Sequence, residues 1–250
     1  MRVLLVGGSG LVGTFITPYL HEHHELRVLD VAPPQHADLV DYLPGSISDP
    51  ADVARALDGV DTFINLVMRN PQGGSSTDQD VETIINNYEV NTLGLHLLLW
   101  TAQGMGIKGG IHTSTMSVHW RERTWYPSEE SVPRDTPSAY GFTKALGEQI
   151  CEYFARWFDM RLIALRITGP RKREDYLIER VTPRNPRLFV TDEEDLARAY
   201  LAALEAVQVG RARFDAIFIA GDEHEREHNL SKARQLLGGW KPESQEYLDD

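Results

Sequence analysis

The chain predicts an α/β fold, a doubly wound parallel sheet with helices on both faces. Three observations carry that expectation. Short apolar runs alternate with longer amphipathic stretches up to about residue 170. The runs are continuous rather than alternating, as strands covered on both faces require. The first of them leads directly into a glycine-rich turn that opens a helix.

The elements follow in order. Val3 to Val6 is the first strand, Leu11 to His21 the first helix, and Leu26 to Leu29 a second strand closing on Asp30. Proline and glycine punctuate Pro33 to Gly45, which reads as loop around a weak third strand near Tyr42. Asp49-Pro50 opens a helix through Leu57, with the carboxylate as cap and the proline at the first helical position. Thr62 to Val67 is the next strand, Asn70 to Asp80 a polar loop, and Val81 to Gln103 a helix. Ile111 to Thr115 is a fifth strand, and Ser117 to Asp135 is irregular. Thr136-Pro137 starts a long helix running to about Phe158, before a sixth strand from Leu162 to Ile167. Beyond Gly169-Pro170 the alternation loosens, leaving a helix from Asp192 to Val207 and a strand from Phe214 to Ala220.

Composition narrows the partners. Aspartate and glutamate total 37 against 25 lysine and arginine, a formal net charge of -12. Such a surface repels nucleic acid and anionic membrane, so neither is an expected partner. No run is apolar and long enough to span a bilayer, and the apolar start at Met1 is too short for a signal peptide. A single cysteine, Cys151, excludes an internal disulfide and suits a reducing compartment, so the cytoplasm is expected. The histidine-rich runs at His21 to His24 and His224 to His228 lack zincin spacing on an apolar helix, so no metal site is expected.

The turn Gly7-Gly8-Ser9-Gly10-Leu11-Val12-Gly13 places glycines at G-x-x-G-x-x-G spacing between a strand and a helix. Without Cβ atoms the backbone can approach a pyrophosphate closely, and the helix N-terminus offers free N–H groups and partial positive charge. Asp30 closes the second strand, where a carboxylate can bond both adenosine-ribose hydroxyls and repel a 2′-phosphate. The expected fold is therefore Rossmann-type and the expected cofactor is NAD rather than NADP. Residues 1–170 form the expected dinucleotide-binding domain with its catalytic helix. Residues 171–250 form a small C-terminal substrate-binding region packed on it.

Tyr140 and Lys144 lie four residues apart, on one face of the long helix. A free phenol titrates near ~10 and is a poor base at neutral pH. A neighbouring ammonium stabilises the phenolate, so Tyr140 can exchange a proton with a substrate oxygen while hydride moves. Ser114 and Thr115, at the carboxyl end of the fifth strand, are the candidate hydroxyls that steady that oxygen.

Together these residues resemble the extended short-chain dehydrogenases/reductases, the NAD-dependent epimerase/dehydratase family. The stretch from Pro137 through Tyr140 and Lys144 to Glu148 looks like the family's active-site helix, and Asn91-Thr92-Leu93-Gly94 like its asparagine–glycine signature. The resemblance implies Thr115, Tyr140 and Lys144 as the catalytic group. It implies cofactor contacts at Gly7, Gly10, Leu11, Val12, Gly13, Asp30, Ser46, Ile47, Leu66, Val67 and Ile167. The chain departs from the family at Ser46, where an aspartate is frequent, at His119-Trp120, and at Asn65-Leu66-Val67-Met68, which replaces a smaller strand end.

The short tail is similar to uronate dehydrogenases, in which an arginine after the sixth strand grips the carboxylate; Arg166 matches that motif position. A strand-ending arginine paired with acidic groups is the competing reading. Arg69, Ser114, Thr115 and Arg166 are the expected substrate contacts. The expected reaction is hydride transfer between NAD and a secondary alcohol or lactol of a sugar or sugar acid, with Tyr140 as general acid/base. The alternatives are a nucleotide-sugar epimerase or dehydratase and, in a different class, a non-catalytic NAD-binding regulator. The resemblance also implies a homodimer through Val81 to Gln103 and Pro137 to Phe158. Leu95, Leu98, Leu99 and Trp100 there exceed what one core stripe needs.

Overall fold

The computed structural model describes residues 1–69, 79–120, 123–175, 189–210 and 213–243. The loop expected from Asn70 falls outside them up to residue 78, as do 176–188 and 244–250 of the expected substrate-binding region.

Seven parallel strands form the sheet in the order β3-β2-β1-β4-β5-β6-β9. They are β1 (Arg2–Val6), β2 (Glu25–Asp30), β3 (Asp41–Pro44), β4 (Thr62–Asn65), β5 (Gly109–Thr115), β6 (Arg161–Ile167) and β9 (Phe214–Ile219). A short pair, β7 (Pro170–Arg171) with β8 (Thr191–Asp192), stands apart. The strand order reverses between β1 and β4, and this switch point opens a crevice at the carboxyl ends of the strands.

Successive side chains of each strand feed opposite faces. Val3 and Leu5 enter a core with Ile16, Leu20 and Leu204, and Leu4 and Val6 enter one with Val53, Leu98 and Phe154. Both faces are dry, which is why these strands read as unbroken apolar runs. Helices α1 (Leu11–His21) and α6 (Glu193–Val209) pack together over the first face. Helices α2 (Pro50–Leu57), α4 (Leu95–Gly104) and α5 (Ala139–Trp157) cover the second. No helix among the described residues is long and apolar enough to cross a membrane.

Local chemistry sets the boundaries. Asp49 caps α2 by accepting from Ala51 N at 2.8 Å, as its sequence predicts. Helix α5 starts at Ala139 rather than Thr136, because the Ser138 hydroxyl accepts from Gly141 N and makes Ser138 the cap. The helix expected over Val81 to Gln103 is interrupted. Between α3 (Val81–Tyr88) and α4 lies a π-helical turn, Glu89–Gly94, that carries buried Asn91.

Two expectations change here. Leu95, Leu98 and Leu99 are not spare surface; all three are fully buried in the core, and only Trp100 of that group is exposed. Residue 170 is not a structural break either. Strand β9 pairs with β6 from Leu162↔Phe214 to Ile167↔Ile219, and α6 packs on α1. Much of the stretch beyond 170 thus completes the main sheet. Helix α7 (Ser231–Leu236) follows, and Trp240 ties the tail down by donating from Nε1 to the Asp195 carbonyl at 3.0 Å.

Candidate active site

The crevice is a cavity of about 570 Å³, within the range that encloses cofactor-sized ligands. Its floor is the glycine turn. Gly7 sits at φ +81°, a conformation open to glycine, and its N–H donates to the Leu29 carbonyl at 2.8 Å. A Cβ on Gly13 would lie 2.1 Å from the Gly8 carbonyl oxygen, so the helix can approach the turn only without one. Gly10 caps helix α1 with no side-chain hydrogen bond, leaving the N–H groups of its first turn for a ligand. The Asp30 carboxylate accepts from Ser9 N at 3.0 Å and Ala32 N at 3.2 Å, which fixes it beside the glycine turn. A backbone cradle that Cβ atoms would fill, unpaired helix donors and a fixed carboxylate together fit a dinucleotide.

Every residue expected to hold the cofactor lines this one cavity: Gly7, Gly10, Leu11, Val12, Gly13, Asp30, Ser46, Ile47, Leu66, Val67, Tyr140, Lys144 and Ile167. Thr115, Ser114 and Arg69 line it too.

At the other end of the cleft, α5 lies tightly against the β5 terminus. A Cβ on Gly141 would come within 2.1 Å of the Ser117 carbonyl oxygen. That approach sets Tyr140 and Lys144 over the strand ends. Lys144 is buried, and its ammonium donates to the carbonyls of Val67 and Thr113, both at 2.8 Å. Burial draws its pKa down to about 7. Tyr140 is half-buried, and its hydroxyl approaches the Met68 Sδ at 3.6 Å. Burial pushes the phenol up to about 12, against a hydrogen bond with Thr115 that pulls it down. The expected depression of the phenol by Lys144 is not found in this structure: burial sets the direction, and the group that lowers the phenol is Thr115. Thr115 also accepts from Ser117 N at 3.1 Å, which orients its hydroxyl.

Two expected substrate contacts are committed to another group. Arg166 does not line the cleft; it is buried behind α5 and makes a bidentate pair with Glu148, at 2.8 and 2.7 Å. Its remaining donors meet the Glu129 carbonyl and His119, both at 3.2 Å. Ser114 lines the cavity wall, but its hydroxyl donates to Glu148 at 2.7 Å and is spent there. The physical reason is shared: a carboxylate at a fully buried position must be neutralised, and Arg166 and Ser114 are the groups within reach. Burial pushes the Glu148 carboxyl up, but the Arg166 hydrogen bonds and charge prevail and hold it below the usual carboxylate range.

Sequence reasoning missed Met68 as the phenol's neighbour, and it missed the role of Asn91. The Asn91 side chain accepts from Arg69 N at 3.0 Å and donates to the Arg69 carbonyl at 3.3 Å and to Thr143 at 3.1 Å. The asparagine–glycine signature marked the position, but only the fold shows that it clamps the chain beyond β4.

This cradle and this tyrosine–lysine pair define an NAD-binding protein of the short-chain dehydrogenase/reductase class. The profile of the NAD dependent epimerase/dehydratase family matches residues 3–217, and the chain belongs to that family, with NAD as its cofactor. It is 27% identical to a uronate dehydrogenase of Pseudomonas syringae pv. tomato over 84% of this chain and 71% of that protein. It is 30% identical to a 3-beta-hydroxysteroid dehydrogenase of Mycolicibacterium neoaurum over 59% of this chain, and the match spans 42% of that protein's length. Among solved structures, a mutated uronate dehydrogenase superposes with a TM-score of 0.74 at 23% identity, covering 99% of this chain and 84% of that one. A UDP-glucose 4-epimerase from Brucella ovis in complex with NAD gives 0.77 at 17% identity, over 95% and 92%. At these identities the structures speak for the fold alone.

Proposed function

We propose that this chain transfers hydride between NAD and a secondary alcohol or lactol of a sugar or sugar acid, with Tyr140 as the general acid/base. The observation that carries the reading is the convergence of three groups at one end of a glycine-floored cleft. They are a half-buried phenol, a buried ammonium one helical turn on, and the Thr115 hydroxyl lining the same end. Relatives that are uronate dehydrogenases support a sugar-acid substrate.

The bound dinucleotide would give hydride to a substrate carbonyl in its reduced form and take hydride from an alcohol in its oxidised form. The chain's own residues do the rest. Thr115 and Tyr140 hold the reacting oxygen between their hydroxyls. Lys144, fixed by two carbonyls, keeps a third N–H for the cleft, and in its charged form it stabilises the phenolate left after proton donation. With its pKa near 12, the phenol holds its proton at neutrality and is set to give it to the alkoxide that develops as a carbonyl is reduced; in the reverse direction the phenolate takes the proton back. Gly169 and Pro170, just past β6, flank the cleft and contribute to the substrate side in this reading.

Tyr140→Phe tests it. The variant should bind NAD within about twofold of the wild type and lose on the order of 10²–10⁴ in turnover. The assay is NADH absorbance with a panel of aldoses and uronates, beside a chromatographic check for epimerised product. Full activity in the variant refutes the assignment. Epimerised product without net NADH establishes an epimerase, and tight NAD binding with no turnover of any substrate establishes a regulator.

A homodimer belongs to the same proposal. Trp100 and Tyr153, each about half exposed, converge on Phe158 with ring centroids 5.8 and 5.9 Å away, and Trp157 beside them is 69% exposed. Light scattering should give twice the chain mass, and Trp100→Glu should halve it; a monomeric wild type removes the idea. With its one cysteine, Cys151, buried in the core, the protein suits a reducing cytoplasm.

A further inference from the structure

We infer that Arg69 recognises an acidic substituent, a carboxylate or phosphate, on the substrate. The inference rests on the hydride-transfer reading of the same cleft. With Arg166 committed to Glu148, Arg69 and Lys144 are the only cationic side chains lining the cavity among the described residues. Lys144 has already given two of its three donors to carbonyls. Arg69 is different in kind. Its guanidinium is exposed at the cleft and meets no carboxylate among the described residues. That is unusual in a chain with 37 acidic and 25 basic residues, where arginines such as Arg27 and Arg123 pair with Asp41 and Asp135.

The position is built. Buried Asn91 bonds both the N–H and the carbonyl of residue 69, so the peptide carrying the guanidinium is fixed although the side chain is not. Asn91 is itself held to α5 through Thr143, the residue before Lys144, so the clamp and the proton-transfer pair share one support. The preceding residue, Met68, places its sulfur 3.6 Å from the Tyr140 hydroxyl. Arg69 therefore starts one peptide, about 3.8 Å along the chain, from a side chain touching the catalytic phenol. A guanidinium there presents a planar fork that a carboxylate or phosphate accepts in two parallel hydrogen bonds, while neutral hydroxyls gain far less. The substrate class that follows is a sugar carrying a negative charge, oriented by Arg69 with its hydroxyl towards Tyr140.

The test uses the full chain with saturating NADH, so that binding is read without turnover. Calorimetric titrations of D-glucuronate, D-glucose 6-phosphate and D-glucose are compared for the wild type, Arg69→Gln and Arg69→Lys. At least one anionic sugar should bind the wild type tenfold or more tightly than glucose. Arg69→Gln should erase that preference, leave glucose and NADH affinities within twofold, and be partly rescued by Arg69→Lys. Three results overturn the inference: no preference for either anion in the wild type, equal losses for anionic and neutral sugars, or a loss that falls on NADH instead. The last would place the guanidinium on the cofactor's pyrophosphate. Failure of the hydride-transfer reading shows separately, as Arg69-dependent binding with no NADH formed from NAD and the same sugars.

Discussion

Arg166→Met removes one half of a buried ion pair and leaves the other half stranded. The two side chains are 3% and 0% exposed, so solvent screens neither. Without the guanidinium, Glu148 keeps, among the described residues, the Ser114 hydroxyl and the partly exposed Arg134, 3.3 Å away. Breaking such a pair from one side costs about 3–5 kcal/mol. At roughly 2–4 °C per kcal/mol for a chain of this size, the melting temperature should fall on the order of 10 °C. The loss should depend on pH with a definite sign. In the wild type the Glu148 carboxyl is held below its ordinary range, so its contribution is present above the unfolded pKa and fades as pH falls through the folded value. In the variant burial prevails and raises the carboxyl, so the penalty grows with pH and should be larger at pH 8 than at pH 5. The double variant Arg166→Met with Glu148→Leu should regain most of the loss, because an apolar pair replaces an ionic one. Scanning calorimetry on the three proteins at both pH values is the assay. A single-variant loss under about 1 kcal/mol, or a double variant as unstable as the sum of its parts, refutes the reasoning. So does a loss of affinity confined to carboxylate sugars, which would return Arg166 to the substrate.

Other outcomes follow from the same geometry. Lys144 is buried and its pKa is lowered to about 7, so the folded chain sheds that proton before the unfolded one, and stability from this group rises with pH from about 7 towards 10.5. The stability of the wild type relative to Lys144→Met should therefore climb by up to about 1.4 kcal/mol per pH unit in urea titrations at pH 7, 8 and 9; a difference that stays flat contradicts it. Gly7→Ala forces a Cβ to 2.8 Å from Val67 Cγ2 at φ +81°, and should cost about 1–3 kcal/mol as well as NAD affinity. Gly10→Ala meets nothing closer than the Gly7 carbonyl oxygen at 3.4 Å, so it should weaken NAD binding while leaving the melting temperature nearly unchanged. Equal melting losses in the two variants would show that the turn is not shaped as described.

Local rules made most of the architecture readable. Continuous apolar runs marked β1 and β6, the Asp49-Pro50 cap marked α2, and the glycine spacing marked the cofactor turn, because each signal is carried by neighbours in the chain. The same holds for Tyr140 and Lys144, which share a helix face by virtue of their spacing. Even the third strand, weakly signalled near Tyr42, forms where expected because β2 supplies its pairing partner.

What the chain's order alone determined, then, is which groups are presented: a Rossmann-type sheet edge, a glycine cradle, a carboxylate at Asp30 and a phenol–ammonium pair. What only tertiary structure decided is which of those charges face the cleft. Glu148 and Arg166 are 18 residues apart and belong to different elements, yet they neutralise each other in the core. Asn91 and Arg69, 22 apart, meet at the cleft rim. A buried charge takes the nearest partner that packing supplies, and that choice is made between elements, where spacing along the chain carries no information.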